Sequence, residues 1–411
     1  MTAPKRFGGA SKCSSGHNTQ VMASNTDPVV SVIVPARNEE ACLALCLQSL
    51  VTQPGIDFEI IVVDDASTDR TAEIARSFSF PGEDARVLTS DLETAHLARS
   101  TNLDFGVAAC PERSRRVPAR PRLSVLPAPP LPDNWTGKNN AMSAGAKFAK
   151  AKWLLFTDAD TVHNPGSLAR AVNEAEQHGA ALLSYSPEQV VRSFWEKAVM
   201  PVIFAELATA YPPQAVNDPT SPIAAANGQY LLISREAYDA VGGHANPKIV
   251  GDLLEDVAMA RLVKSSGRKI FFRYGGDAVH TRMYRSFAHM KEGWTKNLAL
   301  LFKRPRSLAL LRSAEFVLII GNFAAAIWAS LSGRPNLALQ MSLLTIILAG
   351  WFWIRIRKAH FPALSSLIAI FGLPIFVSLL MRSVAAHRGN VNWKGRAYYQ
   401  ARSASSLMQE H

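Results

Sequence analysis

Several short acidic clusters in this chain follow apolar runs, and their residue types suit chemistry on a phosphorylated substrate. Asp158-Ala159-Asp160 follows Trp153–Thr157 (WLLFT). Two carboxylates one residue apart can share a hard divalent cation, Mg2+ or Mn2+, whose remaining oxygen ligands come from a diphosphate. Alone, such a pair is equally an exposed loop. Two further clusters match it: Pro35-Ala36-Arg37-Asn38-Glu39-Glu40 closes Val29–Pro35 (VVSVIVP), and Asp64-Asp65-Ala66-Ser67-Thr68-Asp69 follows Glu59–Val63 (EIIVV). Ligands of open α/β sheets bind in the crevice outside the carboxyl ends of the strands, so three such clusters converge on one cleft. Leu254-Glu255-Asp256 adds two carboxylates at the start of a helical stretch. There an acid can take the proton of an attacking hydroxyl, or merely favour the helix dipole.

The elements that must position these groups are readable from periodicity. The runs Val29–Pro35 and Glu59–Val63 suit strands buried on both faces. Leu43, Cys46, Leu47 and Leu50 recur at helical spacing between them. A second helix is expected over Asp69–Phe78, capped by Asp69 or Ser67. Strand, helix, strand, helix in that order predicts a doubly wound α/β sheet. Residues 89–133 interrupt it with a basic, Pro-rich stretch, read as a mobile insertion that cannot bury enough apolar surface to offset its chain entropy. The pattern resumes with a small-residue helix over Lys138–Lys150, strands at Trp153–Thr157, Tyr230–Ile233 and Lys269–Tyr274, and a helix from Leu254 to Ser265. Residues 194–211, rich in Phe, Trp and Tyr, suit either a membrane interface or a core. Cys42 and Cys46, one helical turn apart, read as core packing rather than redox or metal chemistry.

Charge is unevenly divided. Of a net +11, residues 261–411 hold 22 Lys and Arg against 4 Asp and Glu, leaving the first 260 residues net negative. A basic half beside apolar spans predicts contact with anionic lipid headgroups. No nucleic-acid-binding motif accompanies the charge, so no nucleic acid partner is expected. Stretches 316–333, 337–354 and 361–381 each approach the roughly 20 apolar residues that cross a bilayer. Basic residues before the first and after the second predict cytosolic flanks. Three full crossings would carry the basic tail 382–411 outside, against the same tendency, which leaves one stretch as a re-entrant or interfacial candidate. Residues 1–28, polar and without an apolar core segment, read as a disordered leader rather than a signal peptide. The expected location is the cytoplasmic membrane, multi-pass, with the catalytic part over 29–300 facing the cytosol and 301–381 forming the membrane region.

The ordered set VPARNEE, VVDDASTD, FTDAD and LLED resembles the family-2 glycosyltransferases with the GT-A fold. The resemblance implies that Pro35, Glu39 and Asp65 cradle a nucleoside, that Asp158 and Asp160 hold ribose and metal, and that Lys138 stands near the donor phosphates. It implies Asp256, beside Glu255, as general base of an inverting displacement, His280 as a further metal ligand, and Gly228-Gln229 as a glycine loop against donor or acceptor. WTGKNNA, the RMYRSF region and WKGRAYY look similar to hopene-associated glycosyltransferases and their carotenoid- and ceramide-directed relatives. The expected partners are therefore a nucleotide-sugar donor, a UDP-sugar foremost, and a lipid acceptor, for which a terpenoid is one candidate. Over 282–297 the processive Q-x-x-R-W motif is absent, although Trp294 and Lys296 occupy that region, which argues against polysaccharide synthesis. A nucleotidyltransferase is disfavoured because no glycine-rich basic loop follows the first strand. A catalytically inactive nucleotide-sugar-binding membrane protein is the alternative of another class.

Overall fold

The computed structural model describes residues 27–78, 121–387, 391–393 and 396–398. The strands are β1 (Val30–Ala36), β2 (Phe58–Asp64), β3 (Arg122–Pro127), β4 (Trp153–Phe156), β5 (Thr161–His163), β6 (Leu182–Ser186), β7 (Glu188–Gln189), β8 (Leu231–Ser234), β9 (Ile270–Tyr274) and β10 (Val279–Thr281). Seven of them form one sheet in the order β3-β2-β1-β4-β8-β6-β9, and β5-β10-β7 form a smaller one. The chain winds outward from β1 to β2 and β3, then returns to pair β4 with the other side of β1, all parallel. β8 runs antiparallel to both β4 and β6, which makes the sheet mixed. The order of strands and helices predicts this doubly wound α/β sheet, and the GT-A fold is what the family resemblance implies for it.

Alternation along β1 explains the uninterrupted apolar run. Val32 and Val34 face one layer with Leu43, Cys46, Leu47 and Leu50 of helix Leu43–Val51. Ile33 faces the other, with Ala141, Met142 and Ala146 of helix Gly137–Phe148. Both faces are dry, and each fully buried aliphatic side chain contributes roughly 1.5–3 kcal/mol.

The structure corrects two readings. Residues 122–127, assigned above to the insertion, are the edge strand β3, paired in register from Glu59↔Arg122 to Asp64↔Pro127. Pairing with β2 satisfies backbone groups that a Pro-rich stretch gives no sign of satisfying, so a deletion reaching Arg122 would cut the sheet. The helix at Thr71–Ser77 starts later than predicted and neither Ser67 nor Asp69 caps it. Asp69 instead accepts from the Thr71 backbone N–H and hydroxyl and, through its other oxygen, from Glu40 N.

Among the described residues, three helices are long and apolar enough to cross a membrane: Pro305–Leu331, Pro335–Arg357 and Ala363–Ala386, the last running through a 3-10 turn at Ala369–Phe371. They differ in their surroundings. Within the most apolar window of each, 11% and 6% of the first two are buried inside the protein, against 44% of the third. The third packs so closely on helix Phe194–Ala210 that a Cβ at Gly372 would collide with the Ala198 carbonyl. Phe194–Ala210 is accordingly a core helix of this half, with Val199, Val202 and Ile203 fully buried.

A charged layer joins helix Phe194–Ala210 to the first two of these apolar helices. Glu206, 4% exposed, pairs with Arg355 and with Arg312 at 2.9 Å, while Glu315 bridges the same two arginines at 3.0 and 2.6 Å. Removing one partner of a buried pair leaves an uncompensated charge, at a cost of about 3–5 kcal/mol. Glu206→Leu is therefore expected to lower the melting temperature of the purified protein markedly, and a melting curve unchanged within error would show the layer to be energetically idle.

Candidate active site

The acidic loops are stitched to one another before any ligand is considered. Asn38, at φ 54, accepts from Thr68 N and donates its own N–H to Ser67 Oγ. Glu39 N donates to Thr71 Oγ1, and Arg70 N to Glu40 Oε2. Arg37 Nη1 donates to the Asp65 carbonyl at 2.6 Å. Much of VPARNEE and DDASTD therefore holds two loops together across adjacent parallel strands, which fixes Pro35, Glu39 and Asp65 at their common end.

The loop after β4 is pinned from below. Thr161 Oγ1 donates to the Asp158 carbonyl at 2.7 Å and Thr281 Oγ1 to the Asp160 carbonyl at 3.0 Å. His163, pulled down to about 3 by burial and then by neighbouring His280, is neutral and contacts the Thr157 and Thr161 hydroxyls. With its backbone so held, the loop presents both carboxylates to a cavity of about 630 Å3.

That cavity collects Pro35, Glu39, Asp65, Lys138, Asp158, Asp160, Gly228, Gln229, Glu255 and Asp256. Lys138, in the first turn of its helix, donates to Asp158 Oδ1 and Glu255 Oε1, both at 2.7 Å. Burial opposes its charge, but the Asp158 and Glu255 carboxylates outweigh it and hold the ammonium well above the usual lysine range. Asp256 Oδ2 accepts from Gly228 N and Oδ1 from Val257 N, both at 2.8 Å. Burial, then the adjacent Glu255 carboxylate, push the Asp256 carboxyl up to about 7, against Lys138 and those two N–H groups. Gly228 must approach closely: a Cβ there would lie 3.2 Å from Lys138 Nζ and 3.3 Å from Glu255 Oε1.

His280 is not in the cavity wall. It sits on β10 opposite Val162 and Glu188, and burial lowers its imidazole against the opposing Glu188 charge. Among the described residues, no three His, Cys, Asp or Glu side chains stand together as a metal-holding group. Asp158 and Asp160 offer two hard oxygens to the cavity, a donor set that suits Mg2+ or Mn2+ when a diphosphate supplies the rest.

Other residues reach the site from outside the predicted catalytic and binding set. Arg282, in the wall, forms a two-point ion pair with Glu196 at 3.0 and 3.2 Å, and Glu196 also makes the capping box of helix Phe194–Ala210 with Ser193. Cys46 is core, as expected, but Cys42 lines the cavity and donates to Glu39 Oε2. Lys296 also lines it, and burial pulls its ammonium down to about 8 despite the nearby Glu255, Asp158 and Asp256 carboxylates. Asn139, fully buried beside Lys138, donates through Nδ2 to the carbonyls of Ile249, Val250 and Asp252 at 2.7, 3.2 and 3.2 Å. One amide thus ties the WTGKNNA helix to the turn that leads into Glu255 and Asp256. Asn139→Ala leaves the Ile249 and Val250 carbonyls with the backbone N–H groups of Asp252 and Thr136 but takes the amide donor from the Asp252 carbonyl, at about 1–3 kcal/mol, so a lower melting temperature together with a lower kcat is expected. A kcat within twofold of the parent would separate this amide from the placement of the acids.

The family description Glycosyl transferase family 2 matches residues 31–110 and 130–242. The 4,4'-diaponeurosporenoate glycosyltransferase of Staphylococcus aureus (strain USA300) is 24% identical over 387 residues, covering 90% of this chain and 88% of that one. Among solved structures, the mannosyltransferase PcManGT of Pyrobaculum calidifontis in complex with GDP-Man and Mn2+ aligns over 88% of this chain and 87% of its own, at 16% identity and a TM-score of 0.44. S. aureus TarS 1-349 in complex with UDP aligns over 91% and 97%, at 14% identity and a TM-score of 0.36. With the acidic loops that follow β1, β2 and β4 all inside the matched residues, the chain belongs to glycosyl transferase family 2.

Proposed function

We propose that this glycosyltransferase moves a sugar from a nucleoside-diphosphate donor to a lipid acceptor with inversion at the anomeric carbon, and that a uridine diphosphate sugar is the donor. The observation that carries this reading is the convergence of ten predicted residues, from six separate segments, on one cavity that also takes in residues 358–362, just beyond the second apolar helix. Pro35, Glu39 and Asp65 stand where a nucleoside would lie, at the carboxyl ends of β1 and β2. Asp158 and Asp160 would hold a divalent cation, which when bound offsets charge on the leaving diphosphate. Lys138 adds a fixed positive charge on the same side.

Asp256 is the base. As the acceptor oxygen bonds to the anomeric carbon, Asp256 takes the hydroxyl proton, the bond to the diphosphate oxygen breaks, and the nucleoside diphosphate leaves. A carboxyl tuned to about 7 suits this better than one near 4, because proton transfer is most effective when base pKa and working pH are close. One displacement from the face opposite the leaving group inverts the centre.

The two more exposed apolar helices, Pro305–Leu331 and Pro335–Arg357, form a membrane hairpin, with the catalytic half and the Glu206 layer on the cytosolic side of the inner membrane. The third, packed on the catalytic half, lies along the interface. With two crossings the basic tail stays on the cytosolic side, which removes the conflict with the positive-inside tendency.

The test is release of nucleoside diphosphate from UDP-sugars by the purified full-length protein in membrane-like vesicles with Mg2+ or Mn2+. Slow donor cleavage, accelerated by a lipid extract of the source cells, is expected. No cleavage of any nucleotide sugar would favour an inactive binding protein, and products of growing length a polysaccharide synthase.

A further inference from the structure

Away from its carboxylates the cavity changes character. Phe204, Leu207, Ala208 and Tyr211 repeat at helical spacing and turn one stripe of helix Phe194–Ala210 toward it. Their neighbours Ile203, Ala205 and Glu206 are buried, whereas these four are only half-buried, so the stripe faces open space rather than protein. The facing wall is the loop 358–362, and all five of its residues line the cavity. That loop leaves the C-terminal end of helix Pro335–Arg357, one residue beyond Arg357 and three beyond Arg355 of the charged layer. The apolar end of the cavity therefore lies at the level where the membrane hairpin meets the catalytic half.

The loop is held in a costly shape. His360 has φ 60, a left-handed conformation that costs a non-glycine residue of order 1 kcal/mol. Its ring stacks on Tyr274 at the end of β9, centroids 4.2 Å apart and planes within 10°. Phe361 meets Phe204 edge to face at 5.9 Å, and Phe204 meets Trp294 at 6.3 Å. Phe361 thus closes the loop against the stripe at Phe204, and the cavity stays open farther along, beside Leu207, Ala208 and Tyr211.

We propose that this groove, between the Phe204-Leu207-Tyr211 stripe and the loop 358–362, holds the single apolar chain of a membrane-resident alcohol and delivers its hydroxyl toward Asp256 without the chain leaving the bilayer. The inference rests on the glycosyltransferase reading above and adds the path by which the acceptor arrives. The helix stripe is apolar apart from the Tyr211 hydroxyl, the loop exposes Lys358, His360 and Pro362 at the rim, and the same cavity runs on to the carboxylates where a hydroxyl would react. The hairpin's charged end sets the groove at the interface, within reach of a lipid.

The experiment uses the full-length protein in phosphatidylethanolamine and phosphatidylglycerol vesicles with a C16 fatty alcohol carrying a photoactivatable diazirine in its chain. After irradiation, peptides are mapped, and UDP-sugar binding is measured on the same preparation. Labelling is expected in 204–211 and 358–362, as well as on the exposed faces of Pro305–Leu331 and Pro335–Arg357. Leu207→Trp, which fills the groove, should cut labelling of 358–362 at least fivefold and leave the two hairpin helices labelled as before. Labels confined to the hairpin, or a pattern that Leu207→Trp does not change, overturn the groove assignment even where the donor binds. Loss of the donor reading looks different: no UDP-sugar binding, whatever the labelling.

Discussion

Asp256→Asn is expected to lower turnover at least about 100-fold, the low end of what general-base catalysis contributes, while donor affinity stays within about threefold. Asparagine keeps one acceptor oxygen, so it can still meet either Gly228 N or Val257 N and hold the loop roughly in place. What it loses is the ability to take a proton. The pH dependence gives a second, independent readout. A base works when deprotonated, and burial with the Glu255 charge beside it sets this carboxyl near 7. Activity of the parent should therefore fall as the pH drops below about 7 and level off above it, and the limb should vanish from the residual activity of D256N. A variant that turns over normally, or that keeps the limb, would assign the base to another residue.

Asp160→Ala is expected to remove the metal-dependent part of donor binding. In the parent, chelation should weaken UDP-sugar affinity at least tenfold, about 1.4 kcal/mol. In D160A the affinities with Mn2+ and with chelator should coincide. Asp158→Ala has a wider effect, because the Asp158 carboxylate also accepts from Lys138 at 2.7 Å and its loss takes one of two carboxylates, the other being Glu255, from that ammonium. Titration calorimetry separates the two cases. If the parent binds donor equally well with and without chelator, neither aspartate holds an ion.

Several of these groups were legible in the chain because local physics wrote them there. Buried strands need β-branched runs, and a polar cluster at the end of such a run marks the crevice edge, which is how Asp65, Asp158 and Asp160 are found. Helical spacing marked Leu43, Cys46, Leu47 and Leu50. The edge strand β3 stayed hidden because its short alternation, Arg122-Leu123-Ser124-Val125, is framed by Pro121 and Pro127 in a Pro-rich stretch; its place comes from pairing with β2. Asn139 read as one polar residue in a small-residue helix, and only the packing of a distant turn against it reveals three carbonyls to which it donates. Arg282 stood in a quoted motif, but its partner Glu196 is 86 residues away.

By itself, then, the order of residues determined the α/β class, the acidic groups that could do chemistry and three apolar stretches, since each depends on near neighbours in the chain. The tertiary structure decided which of those groups share a cavity: Lys138 joins Asp158 to Glu255, and His280 lies outside the wall. It also decided that the third apolar stretch packs on the catalytic half, where protein rather than lipid surrounds much of it. The reason is the same in each case. A side chain's identity fixes what it can bond, but burial and partners come from segments tens to hundreds of residues away, and these are set only when the sheet and its helices close around them.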